Sequence, residues 1–157
     1  MALKVAIKQQ TALAGTGTQD FTDADAGFSS DVKAAIFIGS RASSVDTTTA
    51  NGALNLGFAA GTGKASISLF SKDAVAVACD ANTEVRSSFA YCCASESASV
   101  GEFTVDSWLS TGVRVNWSDQ STGELVTAVL LGGDIEAAVV VATMDTTNAV
   151  NVSHTLS

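Results

Sequence analysis

The chain has 157 residues, which is enough for one domain to bury a sizeable core, and we expect a single domain over residues 1–157. Charged residues make up only 15% of it, against about 25% in average globular proteins, and the net charge is −8. The eight Lys and Arg residues are scattered singly, whereas nucleic-acid binding requires clustered positive charge. The composition therefore excludes a nucleic-acid partner.

Small residues, namely Ser, Thr, Gly and Ala, take the place of the missing charges. A free monomer normally stays soluble through a mixed charged surface. The composition therefore favours a surface that neighbouring subunits cover, and the alternative is an ordinary soluble domain with few charges.

The amino-terminal stretch MALKVAIKQQ has the period-2 alternation of a β-strand, with Leu3, Val5 and Ile7 separated by other residues. A signal peptide needs about 7–15 unbroken apolar residues and a membrane helix about 20, and neither is present here. We therefore expect synthesis in a cytoplasm and no membrane partner.

The three cysteines are Cys79, Cys92 and Cys93. Cys92 and Cys93 are adjacent and cannot easily bridge each other, so we expect small buried hydrophobic residues. No C-x-x-C pair or second ligand cluster accompanies them, which argues against a zinc site. The sequence leaves their disulfide state open.

Ala12–Asp20 is rich in small residues and is interpreted as a turn region that leads to Phe21. The acidic stretch after it, with Asp23 and Asp25, is similar to a calcium loop, but the twelfth position, which requires Glu, holds Ala34. Asp and Gly form tight turns, so we predict a turn and assign no metal ligand.

The most continuous apolar run, Val32–Gly39, is rich in β-branched and aromatic residues and predicts a central strand. Ala53–Ala59 and Ala65–Ser71 flank the turn sequence GTGK and predict a hairpin. In its first strand, Leu54, Leu56 and Phe58 share one face, while Asn55 and Gly57 share the other.

Five further strands are predicted from similar patterns, at Asp73–Ala81, Glu84–Cys93, Glu124–Gly133, Ile135–Met144 and Ala149–Leu156. The first of these is also compatible with a helix because of its alanines, but it has no capping box or helical spacing. Both faces of Glu124–Gly133 are apolar, so this strand should lie deep.

The clearest pattern is EFTVDSWLSTGVRVNW, residues Glu102–Trp117, where two alternating runs predict a hairpin. Trp117 alternates with Val113 and Val115 and is assigned to the core. Strict alternation from Phe103 places Trp108 on the opposite face. Trp108 is therefore the candidate for contact with a partner, either a protein surface or a sugar ring.

No stretch of the sequence identifies an active site. GFAAGTGKAS resembles a phosphate-binding loop, but Phe58 stands where the first glycine is needed and Ala65 where Ser or Thr is needed. His154 is the single histidine, and the sequence has no activated-serine motif for which it could act as general base. We assign no catalytic, cofactor-binding or metal-ligating residue and expect no enzyme and no cofactor.

About ten strands at these spacings predict an all-β fold, an antiparallel β-sandwich that is jelly-roll-like and has little or no helix. Proline is absent. Because proline is one means of protecting strand edges, its absence leaves the edges free to pair, the last strand with a neighbouring copy among them.

Three segments, GFSSDVKAAIFIGSRAS, ALNLGFAAGTGKASIS and STGVRVNW followed by LVTAVLLGG, resemble a group of tailed-bacteriophage virion proteins. The resemblance covers Phe21–Gly133 and consists of hydrophobic pattern and turn glycines. The chain departs from the group at Ser29 and Ser30, where other members often carry proline. Members are usually described only as structural, tail or hypothetical proteins, so the match separates roles within the group poorly.

The resemblance implies a non-enzymatic component of the virion, made in the host cytoplasm, and the low charge agrees with repeated packing on a particle. The first choice is a capsid decoration (cement) protein that binds the major capsid lattice as a homo-oligomer, with a trimer as one option. The alternative is a tail-fibre or adhesin module that recognises host-surface glycan.

Overall fold

The computed structural model describes residues 2–28, 32–48, 51–72, 81–95, 99–120 and 123–141. Within these ranges ten strands form two antiparallel sheets that pack together, and no α-helix occurs. The predicted all-β sandwich is confirmed. The strands are β1 (Leu3–Thr11), β2 (Gly17–Thr22), β3 (Ala34–Gly39), β4 (Asn51–Ala60), β5 (Gly63–Lys72), β6 (Ala81–Arg86), β7 (Tyr91–Ala94), β8 (Ser99–Leu109), β9 (Gly112–Gln120) and β10 (Leu125–Gly133).

The six-stranded sheet has the order β1-β10-β3-β4-β5-β6, and the four-stranded sheet has the order β2-β9-β8-β7. Strands that are distant in sequence are neighbours, since β1 pairs with β10 and β2 pairs with β9. The last two strands thus pair with the first two, with one such pair in each sheet. This arrangement makes the sandwich jelly-roll-like. Strands that are consecutive in sequence pair antiparallel and continue each sheet from there, β3 to β6 in one and β7 to β9 in the other.

Aromatic side chains fill the space between the sheets. The rings of Tyr91 and Phe103 stack with centroids 5.0 Å apart, and Phe103 meets Phe37 and Trp117 edge-on at 4.8 and 4.7 Å. Such stacked and edge-to-face pairs are the favoured aromatic geometries. Trp117 is 1% exposed, which confirms its assignment to the core, and its indole nitrogen donates to Gln19 Oε1 at 2.8 Å.

The hairpin predicted at Glu102–Trp117 is confirmed as β8 and β9, but the predicted side of Trp108 is wrong. The register shifts between Val105 and Ser107, so Asp106 is an extra residue without a cross-strand partner. This bulge reverses the alternation, and Trp108 lies opposite the buried Val113. Trp108 therefore faces inward, where it packs partly against the core.

Most of the other predicted strands are present. The amino-terminal strand is β1, Val32–Gly39 contains β3 between β10 and β4, and Glu124–Gly133 contains β10 between β1 and β3. The predicted hairpin of Ala53–Ala59 and Ala65–Ser71 is β4 and β5, joined by a turn at Gly61 and Thr62 in the phosphate-loop lookalike. The acidic stretch is a turn, a short 3-10 helix at Ala24–Ala26.

Three predictions about strands are wrong. Gly17–Thr22 is strand β2 and not part of a turn region, because the chain re-enters a sheet after the positive-φ glycines Gly15 and Gly17. Glu84–Cys93 is not one strand, since residues 87–90 carry the chain from one sheet to the other. Residues 135–141 form no strand, because the chain leaves the sheet after Gly133.

The remaining predictions fall outside the described residues. They are the strand at Asp73–Ala81 except for its last residue, the end of Ile135–Met144 and the final strand Ala149–Leu156.

Candidate functional site

The outer surface of the six-stranded sheet is apolar across its whole width. No charged residue occupies an outward position of these strands, all of whose residues the structure describes. The exposed fraction is 46% at Leu54, 45% at Leu69 and 68% at Val85. We call this surface the apolar face, and its large side chains are Leu3, Val5, Ile7, Ile36, Ile38, Leu54, Leu56, Phe58, Ile67, Leu69, Val85, Val129 and Leu131.

Cross-strand pairing joins these side chains into rows. Ile38 lies opposite Leu56, Leu56 opposite Ile67, and Ile67 opposite Val85. Directly paired side chains are about 4.5–5.5 Å apart at Cβ, so the rows form a continuous surface. Soluble monomers rarely expose contiguous apolar patches of more than a few hundred Å², and larger ones mark interaction sites. The apolar face is therefore the strongest candidate for a functional surface.

The outer surface of the four-stranded sheet has the opposite character. Arg114 on β9 donates two hydrogen bonds to the carboxylate of Asp20 on β2, at 2.6 and 2.8 Å. The bond from Arg114 lowers the pKa of Asp20, and the carboxylate raises the pKa of Arg114 in turn. Asn116 and Ser118 are exposed on the same side. One surface of the sandwich is thus suited to water and the other is not.

Close approach of the two sheets explains why most large residues of β4 and β5 point outward. A Cβ at Gly57 would clash with the backbone carbonyl oxygen of Ala90, and a Cβ at Gly39 would clash with the hydroxyl of Tyr91. Small or hydrogen-bonded residues such as the buried Ser68 occupy the core side of this hairpin next to the glycines, and Phe70 is buried farther along β5. The sequence grouped Leu54, Leu56 and Phe58 correctly on one face, and that face is the outer one.

A buried polar network connects the sheets behind the apolar face. Asn55 Nδ2 donates to the hydroxyl of Tyr91 at 3.1 Å, Ser68 Oγ donates to Asn55 Oδ1 at 2.6 Å, and the amide of Ala94 donates to Ser68 Oγ at 2.7 Å. Asn55 and Ser68 are fully buried. Paired polar groups of this kind fix the position of one sheet on the other, because each group would lose its partner if the sheets slid.

Glu124 is fully buried beside this network, and neither of its carboxyl oxygens has a hydrogen-bond partner of good geometry. Burial raises the pKa of Glu124, and the nearby Cys93 thiol, Tyr91 hydroxyl and Arg41 guanidinium oppose the rise. Burial also raises the pKa of Cys93 and of Tyr91. Burial therefore favours the protonated form of all three groups, and the cluster has no access to solvent, so it is structural.

Three clefts open on the apolar face or at its margin. One of about 430 Å³ lies between Ile38, Val45 and Leu54, and one of about 450 Å³ lies along Leu54 and Leu69. The third, of about 440 Å³, is lined by Phe58 and Val85 on one side and by residues 138–141 on the other. Residues 138–141 therefore lie over part of the apolar face.

Trp108 lines a separate recess of about 320 Å³ with Lys64 and Asp106. Its indole nitrogen donates to the carbonyl oxygen of Gly61 at 3.1 Å, which ties β8 to the β4–β5 turn. The side chain is half-buried and keeps part of its ring at the surface. That Trp108 contacts a partner stays a prediction.

The other residues considered for chemistry contribute no site. Cys92 and Cys93 are buried, whereas Cys79 and His154 lie outside the described residues. Asp23 caps its turn by accepting a hydrogen bond from the amide of Asp25 at 3.0 Å. In the described ranges no three His, Cys, Asp or Glu residues are grouped closely enough to hold a metal ion. No helix there is long and apolar enough to cross a membrane.

Comparisons of the chain with protein-family models, curated proteins and solved structures found no significant match. The sequence could have revealed the apolar face by one signal, which is the absence of charge from alternate positions of six strands. That signal requires knowing which side of each strand faces the core.

Proposed function

We propose that this chain is a non-enzymatic structural protein of a bacteriophage particle, and that it acts as a decoration (cement) protein on the major capsid lattice. The observation that carries the proposal is the uncharged apolar face, a surface suited to being covered in an assembly. The resemblance of Phe21–Gly133 to tailed-phage virion proteins and the low charge content support the same role.

The mechanism is burial of apolar surface without a chemical step. Covering about 500 Å² of apolar area contributes roughly 12 kcal/mol at about 25 cal/mol per Å². Association costs about 4–15 kcal/mol in lost freedom, so a single contact of this size is weak by itself. Copies joined in a homo-oligomer bind several equivalent lattice sites at once, and such multivalent binding converts weak contacts into stable coverage.

Counting copies in purified particles tests this role. Quantitative mass spectrometry should find hundreds of copies per particle, in a fixed ratio to the major capsid protein. The capsids of particles assembled without the protein should disassemble at a lower temperature, since cement proteins stabilise the lattice. Absence of the protein from purified particles would contradict the proposal.

The second candidate is a tail-fibre or adhesin module that binds host-surface glycan. The observation that favours it is the recess at Trp108, where part of an aromatic ring lies beside Lys64 and Asp106. Aromatic faces pack on apolar sugar faces, and charged groups bind hydroxyls.

A handful of copies per particle would favour this adhesin over the decoration protein. In that case the protein should remain bound to host cells, and Trp108→Ala should abolish retention. Trp108→Phe, which keeps an aromatic ring but loses the indole nitrogen, should retain part of it. Equal retention by the Ala variant and the wild type would exclude the recess as the binding site.

A further inference from the structure

We propose that the apolar face is the contact between two copies of this chain, joined face to face about a two-fold axis. This inference deepens the proposed function and rests on it for the premise that the protein works in an assembly. It names the partner of the apolar face and leaves the remaining surface of the pair for the capsid.

The size of the apolar face is close to the minimum that a specific pair needs. Five spacings of about 4.8 Å make a six-stranded sheet about 24 Å wide, and three outward residues, one in every two, occupy about 20 Å of strand length. The projected area is then roughly 500 Å² on each copy, or about 1,000 Å² for two. Specific interfaces begin near this total, whereas incidental contacts are smaller.

The distribution of charge selects this surface for self-contact. Each copy carries a net charge of −8, so two copies repel each other. A two-fold contact also places identical surfaces together, so charges near the axis would meet charges of the same sign. The apolar face carries no charged residue at its outward strand positions, while the other sheet exposes Asp20 and Arg114. The outward strand positions of the apolar face therefore avoid repulsion between identical surfaces, and Asp46 lines the margin of one of its clefts.

The shape of the apolar face also suits self-contact, because it has both a ridge and clefts. Residues 138–141 lie over one side of it, where Val140 and Val141 are 47% and 57% exposed and form an apolar ridge. The clefts at Ile38, Leu54 and Leu69 lie beside it on the same face. If the two-fold axis passes between the ridge and the clefts, the ridge of each copy packs into the clefts of the other copy. Such reciprocal contacts define a two-fold interface.

The test is the mass of the purified full chain by sedimentation equilibrium from about 1 to 100 µM. The wild type should have the mass of two chains. Leu54→Lys combined with Leu69→Glu places opposite charges directly across β4 and β5, which preserves the sheet and the net charge. Desolvating those charges between copies should raise the dimer Kd at least about 100-fold.

The matched control is Asn116→Lys combined with Ser118→Glu, which adds the same charges to exposed positions of β9 on the other sheet. This control should dimerise like the wild type. A second variant, Val141→Lys, places one charge on the ridge and should also weaken the dimer. Circular dichroism melts establish that each variant is folded.

Two results would overturn the proposal. One is a wild type that stays monomeric at 100 µM, which would mean that residues 142–157 or the capsid protein cover the apolar face. The other is a Leu54→Lys/Leu69→Glu variant that dimerises as tightly as the control. Neither result affects the copy number in particles, so failure of the dimer and failure of the particle role are distinguishable.

Discussion

Glu124 occupies a position that is costly for the fold, because its carboxyl group is fully buried. Its backbone is fixed from both sides, because its carbonyl accepts from the amide of Ala12 at 2.7 Å and the next amide donates to Ala42 at 2.8 Å. The side chain is thereby held inside, where its carboxyl oxygens lack hydrogen-bond partners of good geometry. Burial of a carboxyl in this position favours its protonated form.

Replacing Glu124 by Gln should therefore stabilise the protein at neutral pH. The pKa of Glu124 is raised in the folded state, so the stability tied to its proton is present below its ordinary pKa of 4.5 and is lost as pH rises through the folded value. The advantage of Glu124→Gln should grow from near zero at pH 4 to about 1–3 kcal/mol at pH 8. Urea unfolding of both proteins across that range measures it.

The control for this experiment is Glu136→Gln, which removes an exposed carboxyl. Its difference from the wild type should change little over the same range. A constant difference between Glu124→Gln and the wild type at all pH values would show that the Glu124 carboxyl does not gain a proton on folding.

At the scale of the element, one extra residue in β8 decides which way a tryptophan points. Phe103 and Val105 face Trp117 and Val115 across the hairpin, and strict alternation from them would turn Trp108 outward. The unpaired residue at the bulge restores the inward direction. A bulge of one residue has no compositional signal here, which is why the sequence assigned Trp108 to the wrong side.

Deleting Asp106 should therefore be tolerated. The shortened strand pairs regularly with β9 and keeps Trp108 opposite Val113, so we expect a cost below about 1.5 kcal/mol. Deleting Thr104 is the matched control, because it shifts Asp106 into the core position opposite Val115 and should cost more than about 3 kcal/mol. Thermal melts compare the two, and equal costs would argue against the bulge.

At the scale of the whole molecule, the two outer surfaces of the sandwich differ in polarity. The apolar face has the composition of a core, and the opposite surface carries an ion pair and exposed polar residues. Repulsion between copies is set by the net charge of −8, since the proposed interface contains no charged strand residue. Salt should therefore change the dimer Kd by screening this repulsion.

Raising NaCl from about 0.05 to 0.5 M should tighten the dimer several-fold, because salt screens the repulsion and the apolar contact has no ion pairs to lose. Sedimentation equilibrium at the two salt concentrations measures the change. An interface built on ion pairs would weaken instead, so a Kd that rises with salt would contradict contact through the apolar face.

The sequence by itself determined the all-β class, most strands and the core position of Trp117, because period-2 alternation and turn glycines are local properties of the chain. It missed β2 and the break between β6 and β7, since a change of sheet leaves no local mark. It also placed the apolar residues of β4 on one face without showing whether that face points to the core or to solvent. Only the tertiary structure decided that direction, because the second sheet packs closely against Gly57 and Gly39 and leaves room there for small side chains alone.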